Sequence, residues 1–317
     1  MDVILHIGAH RTATTTFQHY ARGQSQALAT QGVAFWGPGR TRNGLFRGLY
    51  DRGAEPAADA DAAYRRATGR IALNAERARD RGRKVLIVSD ENMAGSVREN
   101  LRTNTLYPGI GMRLARVHGA FGGKVDQVIL SIRSLELYWA SALGFGLTRG
   151  RRVPDENVTD RLVTSPRSWR DVIADVACAM PEARLRVLPF ETLNGRPDAM
   201  LSEILDQQPV PRDPQEQRLN ATPGLASLRD ITGGAGLPKG DGRWQPFNTE
   251  QAAALRETYQ DDLIWLAAGA DGMAEPMAYM PRKTTRHEAG TTPPETDMTR
   301  GRSNDSQQRR MAPPRRG

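Results

Sequence analysis

The most informative segment of this chain is Val3-Ile4-Leu5-His6-Ile7-Gly8-Ala9-His10-Arg11-Thr12-Ala13-Thr14-Thr15-Thr16. An apolar run that breaks at a glycine and then opens a helix is typical of a loop that cradles a phosphate. The first N–H groups of such a helix, together with its dipole, attract an anion. Arg11 adds a positively charged guanidinium with several N–H donors. Hydroxyl donors come from Thr12, Thr14, Thr15 and Thr16. We therefore expect a phosphorylated ligand at residues 8–16.

The rest of the chain alternates short apolar runs with helical segments. Buried-type strands are predicted at 32–36, 84–88, 125–132 and 185–190. Helices are predicted over 58–82, 95–120, 134–146, 169–180, 197–206 and 249–268, with a polar loop over 144–168. This alternation predicts the α/β class, with a central parallel sheet covered by helices on both faces, which makes three layers.

The net charge of +8 is concentrated near the end of the sequence. Residues 281–317 hold nine Lys or Arg against four Asp or Glu, so +5 of the total lies there. Because this segment is also rich in Pro, Gly, Ser and Thr, it is predicted to be a disordered basic tail. We expect residues 1–280 to form the folded part, as one large domain or two small ones, with no specific nucleic-acid partner.

A single cysteine, Cys178, argues against a disulfide framework and favours a reducing compartment. It lies in an apolar helical run, so we interpret it as a buried small side chain rather than a catalytic thiol. No stretch has the length of a membrane span, and no signal peptide precedes the first strand. The expected location is the cytoplasm.

Three polar clusters follow strands directly: residues 8–16, residues 89–92 and Arg133. In a parallel sheet, ligands bind outside the carboxyl ends of the strands. We therefore expect the three clusters to share one site.

The N-terminal loop differs from a Walker A loop, which reads GxxxxGK[ST]. The second glycine and the lysine are both missing, and the cation lies inside the turn at Arg11. The loop resembles instead the 5′-phosphosulfate loop of sulfotransferases that use 3′-phosphoadenosine 5′-phosphosulfate (PAPS), which often reads H-K-T-G-T-T. The corresponding residues here are His10-Arg11-Thr12-Ala13-Thr14-Thr15, with Arg11 for Lys and Ala13 for Gly.

A second segment resembles the 3′-phosphate site of the same family. Arg133 ends a strand, and Ser141 follows eight residues later, two turns into a helix, so that both can face one anion. Residues 185–193 are similar to a family strand that ends in a Y-E-D-L-type turn. Residues 237–247 resemble a late loop that closes over the nucleotide, in which Lys239 and Gly240 match the phosphate-binding pair.

The resemblance implies a P-loop-like fold and a metal-independent transfer of a sulfuryl group from PAPS to a hydroxyl or amine. Fixed N–H donors and Arg11 would stabilise the charge on the departing nucleotide. Because guanidinium is planar and keeps its proton, Arg11 can slow a reaction that needs a compact ammonium.

A base must accept the proton of the acceptor. We favour Glu91, with Asp90 second, because a half-buried carboxylate can have its pKa raised towards neutrality. The alternative is that these two residues cap the next helix or pair with Arg11 or Arg133. His10 and His6 are weaker candidates: His6 is expected in the core, and His10 in the loop.

The remaining ligand contacts are less specific. Adenine needs an aromatic platform, for which Phe35, Trp36 and Trp244 are candidates. The acceptor is expected to be a small molecule, a glycan or a lipid, and a basic loop at Arg149, Arg151 and Arg152 could attract an acidic one. Two other functions stay open: a nucleotide kinase or NTPase, which would need the missing loop lysine, and a catalytically weakened phosphoadenosine-binding protein.

Overall fold

Five apolar runs form a parallel sheet in the computed structural model, which describes residues 1–50, 57–193, 195–206, 219, 221–234 and 236–275. The strands are β1 Asp2–His6, β2 Val33–Trp36, β3 Val85–Ser89, β4 Gln127–Ile132 and β5 Arg184–Pro189. Their order is β2-β3-β1-β4-β5, and every neighbouring pair is parallel. The predicted α/β class with a central parallel sheet is confirmed.

Helices connect the strands and cover both faces of the sheet. Their bounds are α1 Thr14–Gly23, α2 Ser25–Thr30, α3 Pro38–Arg40, α4 Ala57–Asp80, α5 Val97–Thr103, α6 Ile110–Ala120, α7 Leu135–Leu147, α8 Glu156–Val163, α9 Trp169–Ala179, α10 Phe190–Leu193, α11 Pro197–Leu205, α12 Leu225–Thr232 and α13 Thr249–Ala267. A π-helical turn at Thr41–Leu45 and 3₁₀ turns at Glu91–Met93 and Ala270–Gly272 complete the described elements.

Side-chain alternation along β1 separates two apolar cores. Val3 and Leu5 belong to the larger core, while Ile4 belongs to a smaller one on the other face, where Phe17 of α1 and Leu201 of α11 pack. Successive strand residues point to opposite faces, so a central strand must bury both. This arrangement is compatible with the expected three layers.

Two connections differ from the sequence prediction. The helix predicted over 95–120 is divided into α5 and α6, because the backbone turns left-handed at Asn104 and Tyr107, and Pro108 follows. The polar loop predicted over 144–168 contains α8, whose first turn is capped by Asp155 accepting from the Val158 N–H at 2.9 Å. That cap was the signal in the sequence that could have located the helix.

The expected burial of Cys178 is wrong, since its side chain is exposed. The buried stripe of α9 runs through Val172, Ile173 and Val176, and at helical spacing Cys178 falls outside it. A cysteine in an apolar segment therefore still faces solvent here.

All described residues belong to one compact unit that extends over residues 1–281. The predicted basic tail at 281–317 lies outside the described residues. Within the described ranges, no helix is both long enough and apolar enough to cross a bilayer. The sheet order leaves β1 between β3 and β4, so the carboxyl ends of these three strands open on one edge.

Candidate functional site

The loop between β1 and α1 has a strained backbone that its own threonines hold in place. Gly8, Arg11 and Ala13 have φ angles of 31°, 68° and 61°, and a left-handed non-glycine residue costs about 1 kcal/mol or more. The Thr12 and Thr14 hydroxyls both donate to the Ala9 carbonyl, at 2.6 and 3.2 Å. Both hydroxyls therefore fasten the loop; Thr12 is buried, whereas Thr14 also lines a cleft.

The amino end of α1 remains the best anion-binding element of the loop. Ala13 occupies the N-cap position, and no side chain among the described residues caps the helix there. The hydroxyl of Thr16 is buried and accepts from the Leu219 N–H at 3.0 Å, whereas Thr15 lines an open cleft. The first amides of a helix lack intrahelical partners, so they can bind an anion in that cleft.

Arg11 joins the N-terminal loop to the middle of the chain. Its Nε donates to Ser141 Oγ at 2.9 Å, and its Nη2 donates to Thr222 Oγ1 at 2.8 Å. The two hydroxyls are 2.6 Å apart, so the guanidinium and both hydroxyls form one compact polar group. Burial lowers the pKa of Arg11, although a guanidinium remains charged at neutral pH.

Arg133 lies against the same loop. Its Nη1 donates to the Arg11 carbonyl at 2.8 Å, and its guanidinium is 4.8 Å from the centre of the Phe190 ring. The helix that follows is fixed by Glu191, whose carboxylate accepts from the Ser134 N–H and from the Tyr259 hydroxyl, both at 2.9 Å. The structure thus brings together Arg11, Arg133 and Ser141.

Two clefts meet at this group, and their described walls share Arg11, Ala13 and Leu219. The first cleft, of about 460 Å³, includes His10, Thr14, Thr15, Gln18, Arg42, Glu91, Asn92, Arg98, Phe145 and Arg149. The second cleft, of about 390 Å³, includes Thr16, Arg133, Ser141, Phe190, Thr222, Gly242 and Arg243. A ligand with two anionic ends could therefore span the Arg11 wall.

The acidic pair after β3 is bound by Arg42, a cation that no sequence motif marks. Arg42 contacts Asp90 Oδ1 at 2.6 Å and Glu91 Oε1 at 2.9 Å. Asp90 is buried and also caps the following turn by accepting from the Asn92 N–H. The structural role that we considered for Asp90 is therefore present, with Arg42 as the partner rather than Arg11 or Arg133.

The expected rise in the pKa of Glu91 is wrong in direction. Burial is the largest single influence and raises that pKa, but the charges of Arg42 and His10 and the hydrogen bonds from Gln18 and Arg42 together outweigh it. The Gln18 amide donates to Glu91 Oε2 at 2.9 Å. The net pKa lies below the ordinary value, so Glu91 is ionised at neutral pH and is a weak base.

His6 and His10 lie where the sequence predicted, the first in the core and the second in the loop. His6 is buried in the core, where its Nδ1 lies 2.8 Å from Ser89 Oγ, and burial lowers its pKa to about 4. His10 lines the first cleft, with its ring stacked on Tyr107 and its Nε2 3.3 Å from Asn92 Oδ1. Burial also lowers the pKa of His10, although Glu91 opposes the shift. Both imidazoles are therefore neutral at pH 7.

Several expected contacts do not reach the clefts. Lys239 and Gly240 are exposed, and the late loop contributes Gly242 and Arg243 to the second cleft in their place. Trp36 and Trp244 are buried in the larger core, which removes them as platforms for adenine. Phe35 is half-buried and lines a different groove, beside Pro38.

Phe190 is the aromatic side chain that lines the second cleft. In the sequence, Phe190 belongs to the segment 185–193 that resembles a family strand, and no ligand contact was expected of it. Gln18, Arg42, Phe145 and Thr222 were also missed. Gln18 follows Thr14 by one helical turn, which could have placed it on the same face, while nothing in the sequence connects Thr222 with Arg11.

The basic loop is only partly at the site. Arg149 lines the first cleft and lies 5.2 Å over the Phe145 ring. Arg151 instead donates to the Leu101 carbonyl at 3.0 Å, and Arg152 is exposed.

Comparison with known proteins adds no family: neither a protein-family model nor a curated protein sequence matches this chain. The function is therefore argued from the geometry of the two clefts.

Proposed function

We propose that this protein is a PAPS-dependent sulfotransferase with a P-loop-like fold, which transfers a sulfuryl group to a hydroxyl or amine. The observation that carries the proposal is the convergence of Arg11, Arg133 and Ser141. Two motifs that are 122 residues apart, selected for the 5′- and the 3′-phosphate, meet through the Arg133–Arg11 hydrogen bond. The pairing of β1 with β4 brings the two segments side by side, and Arg11, Arg133 and Ser141 then converge on one polar group.

The clefts suggest how the donor binds. The 3′-phosphate fits the second cleft, between Arg133 and Ser141, beside the Phe190 ring. The 5′-phosphosulfate fits the amino end of α1, where helix amides and Arg11 supply donors and positive charge. The acceptor then enters through the first cleft.

In the reaction, the acceptor oxygen forms a bond to sulfur while the bond from sulfur to the bridging phosphate oxygen breaks. The bridging oxygen keeps the electron pair, and its charge is stabilised by Arg11 and the α1 amides. The acceptor proton goes to Glu91. Because Arg42 keeps the pKa of Glu91 low, this proton can leave only late, when the acceptor oxygen has become acidic by bonding to sulfur.

The contacts of Glu91 also support a second function, phosphoadenosine binding without catalysis. Since Arg42 and Gln18 both bind Glu91, this residue can be purely structural. The protein would then bind phosphoadenosine without turnover.

The first test is a calorimetric titration with 3′,5′-bisphosphoadenosine, without metal, on the intact protein and on Arg133→Ala. Binding is expected at a micromolar dissociation constant, about −8 kcal/mol. Arg133→Ala should weaken it at least about a hundredfold, because charge-assisted contacts to the phosphate are lost. Arg152→Ala is the matched control, since Arg152 is exposed and lies outside both clefts.

Other outcomes would contradict the proposal. No binding, or binding of ATP with Mg²⁺ alone, would favour a nucleotide kinase or NTPase. If bisphosphoadenosine binds but no sulfuryl transfer from PAPS is found, the phosphoadenosine-binding protein is the better description. Glu91→Gln separates the two further: it should leave the affinity for bisphosphoadenosine unchanged and abolish any transfer.

A further inference from the structure

Among the described residues, the lining of the first cleft carries more positive than negative charge. Four arginines line it there (Arg11, Arg42, Arg98 and Arg149), against the carboxylate of Glu91. Two of these arginines are bound to other side chains of the protein. Arg11 is bound to Ser141 and Thr222, and Arg42 is bound to Asp90 and Glu91.

Arg98 and Arg149 are the other two arginines in the described lining of the first cleft. Both are exposed side chains on the cleft wall, and neither has an ion-pair partner within the part of the chain that the structure describes. The neighbouring arginine of α5, Arg102, does have one, since its guanidinium is 3.8 Å from Glu99. The charge of Arg98 and Arg149 therefore faces the cleft and the solvent.

These two arginines are positioned by packed helices rather than by a loose loop. Arg98 lies in the first turn of α5, and Arg149 directly follows the C-cap of α7. The helices pack closely: a Cβ at Gly146 of α7 would lie 3.1 Å from Leu101 of α5. The Asn100 amide also donates to the Tyr138 hydroxyl at 2.7 Å, which joins the same two helices.

The contacts proposed for the donor nucleotide do not include Arg98 or Arg149. Its two phosphate positions use Arg11, the α1 amides, Arg133 and Ser141, and the last two line the second cleft, on the other side of the Arg11 wall. Arg98 and Arg149 are absent from the described lining of that cleft. What remains for them is the second substrate.

We propose that the first cleft selects acceptors that carry an oxyanion, a carboxylate or sulfate, beside the hydroxyl to be modified, and that Arg98 and Arg149 bind this oxyanion. The proposal rests on the function proposed above. The guanidinium groups of Arg11 and Arg149 both lie over the Phe145 ring, at 5.4 and 5.2 Å from its centre, so this ring helps to hold Arg149 at the cleft. Arginine is suited to this role because its fork binds carboxylate and sulfate groups in two-point contacts.

The test compares two probes that differ in one group, 4-nitrophenyl β-D-glucuronide and 4-nitrophenyl β-D-glucoside. Each is titrated calorimetrically into the intact protein, with and without saturating bisphosphoadenosine. We expect the glucuronide to bind at least about tenfold more tightly, because two guanidinium contacts favour its carboxylate. In the double variant Arg98→Gln/Arg149→Gln, the two glycosides should bind within about twofold of each other.

Arg152→Gln serves as the matched control, since it removes one nearby positive charge outside the cleft, and it should leave the preference unchanged. Equal affinity for the two glycosides, no binding of either, or a preference that persists in the double variant would overturn the proposal. The titration of bisphosphoadenosine itself separates this result from failure of the proposed function. If that nucleotide does not bind, the donor site is wrong, and the glucuronide preference can still be measured on the nucleotide-free protein.

Discussion

Arg42 sets the chemistry of the two carboxylates at the end of β3. One guanidinium contacts both Asp90 and Glu91, so neither acid is isolated, and Glu91 keeps its charge at neutral pH although it is largely buried. A buried carboxylate without that cation would be a far stronger base. The protonation state of Glu91 therefore depends on its partners as well as on its burial.

A prediction at the residue scale concerns His6. Its folded-state pKa of about 4 lies below the ordinary 6.5, so the unfolded chain takes up a proton more readily than the folded one does. The free energy of unfolding should therefore be highest above pH 6.5 and decrease as the pH falls towards 4, by up to about 1.4 kcal/mol per pH unit for this group. Urea denaturation at a series of pH values measures the slope.

His6→Gln should remove the contribution of His6, because an amide can still bond to Ser89 but does not titrate in this range. His10 adds to the same slope, since burial lowers its pKa as well. His19→Gln is the control, because this side chain is exposed. An unchanged slope in His6→Gln would show that the imidazole is not held neutral in the folded protein.

At the scale of elements, α7 connects the two clefts. Ser141, Gly144 and Phe145 lie on it within two turns, and most of its residues are buried. Gly144 permits a close approach to Thr222: a Cβ there would be 2.9 Å from Thr222 Cγ2. Because Thr222 accepts from Arg11, the packing of α7 and the position of Arg11 are coupled.

Gly144→Ala is therefore expected to displace Thr222 and to weaken bisphosphoadenosine binding about tenfold, with a loss of about 1–3 kcal/mol in the free energy of unfolding. Calorimetry and chemical denaturation measure the two effects. Gly69→Ala in α4 is the matched control. Apart from its chain neighbours and the backbone of its own helix, no described atom lies within 4 Å of a Cβ at that position, so the substitution should stabilise the protein by about 1 kcal/mol without changing affinity. Unchanged affinity in Gly144→Ala would separate Thr222 from the site.

At the scale of the whole molecule, the sheet order makes β1 the central strand. Its residues pair with β3 on one side and β4 on the other, and they supply side chains to both cores. The N-terminal loop is thereby held at the middle of the carboxyl edge, beside the residues that follow β3 and β4. A perturbation of β1 should thus affect the stability of the entire domain.

Leu5→Ala tests this expectation. Leu5 is fully buried in the larger core, so its truncation should lower the free energy of unfolding by about 2–5 kcal/mol. Leu73→Ala is the control, since Leu73 is 53% exposed and its truncation should cost less than about 0.5 kcal/mol. Comparable losses in the two variants would contradict a central role for β1.

Several features were predictable from the sequence alone. They are the five strands, the loop that follows β1, and the resemblance of residues 10–15 and 133–141 to a pair of phosphate-binding segments. These are local properties, since apolar runs and turn residues act within a few positions of one another. The division between α5 and α6 and the position of α8 were not predicted. There, left-handed backbone positions and a single capping residue matter more than hydrophobic periodicity.

The contacts between charged and polar side chains depend on the tertiary structure and could not be predicted from the sequence. Arg42 reaches Asp90 over 48 positions in the chain, Ser141 reaches Thr222 over 81, and Arg11 reaches Ser141 over 130. An electrostatic partner is set by distance in space and by local burial. The direction of the Glu91 pKa shift and the charge of the first cleft depend on such contacts, which no pattern along the chain contains.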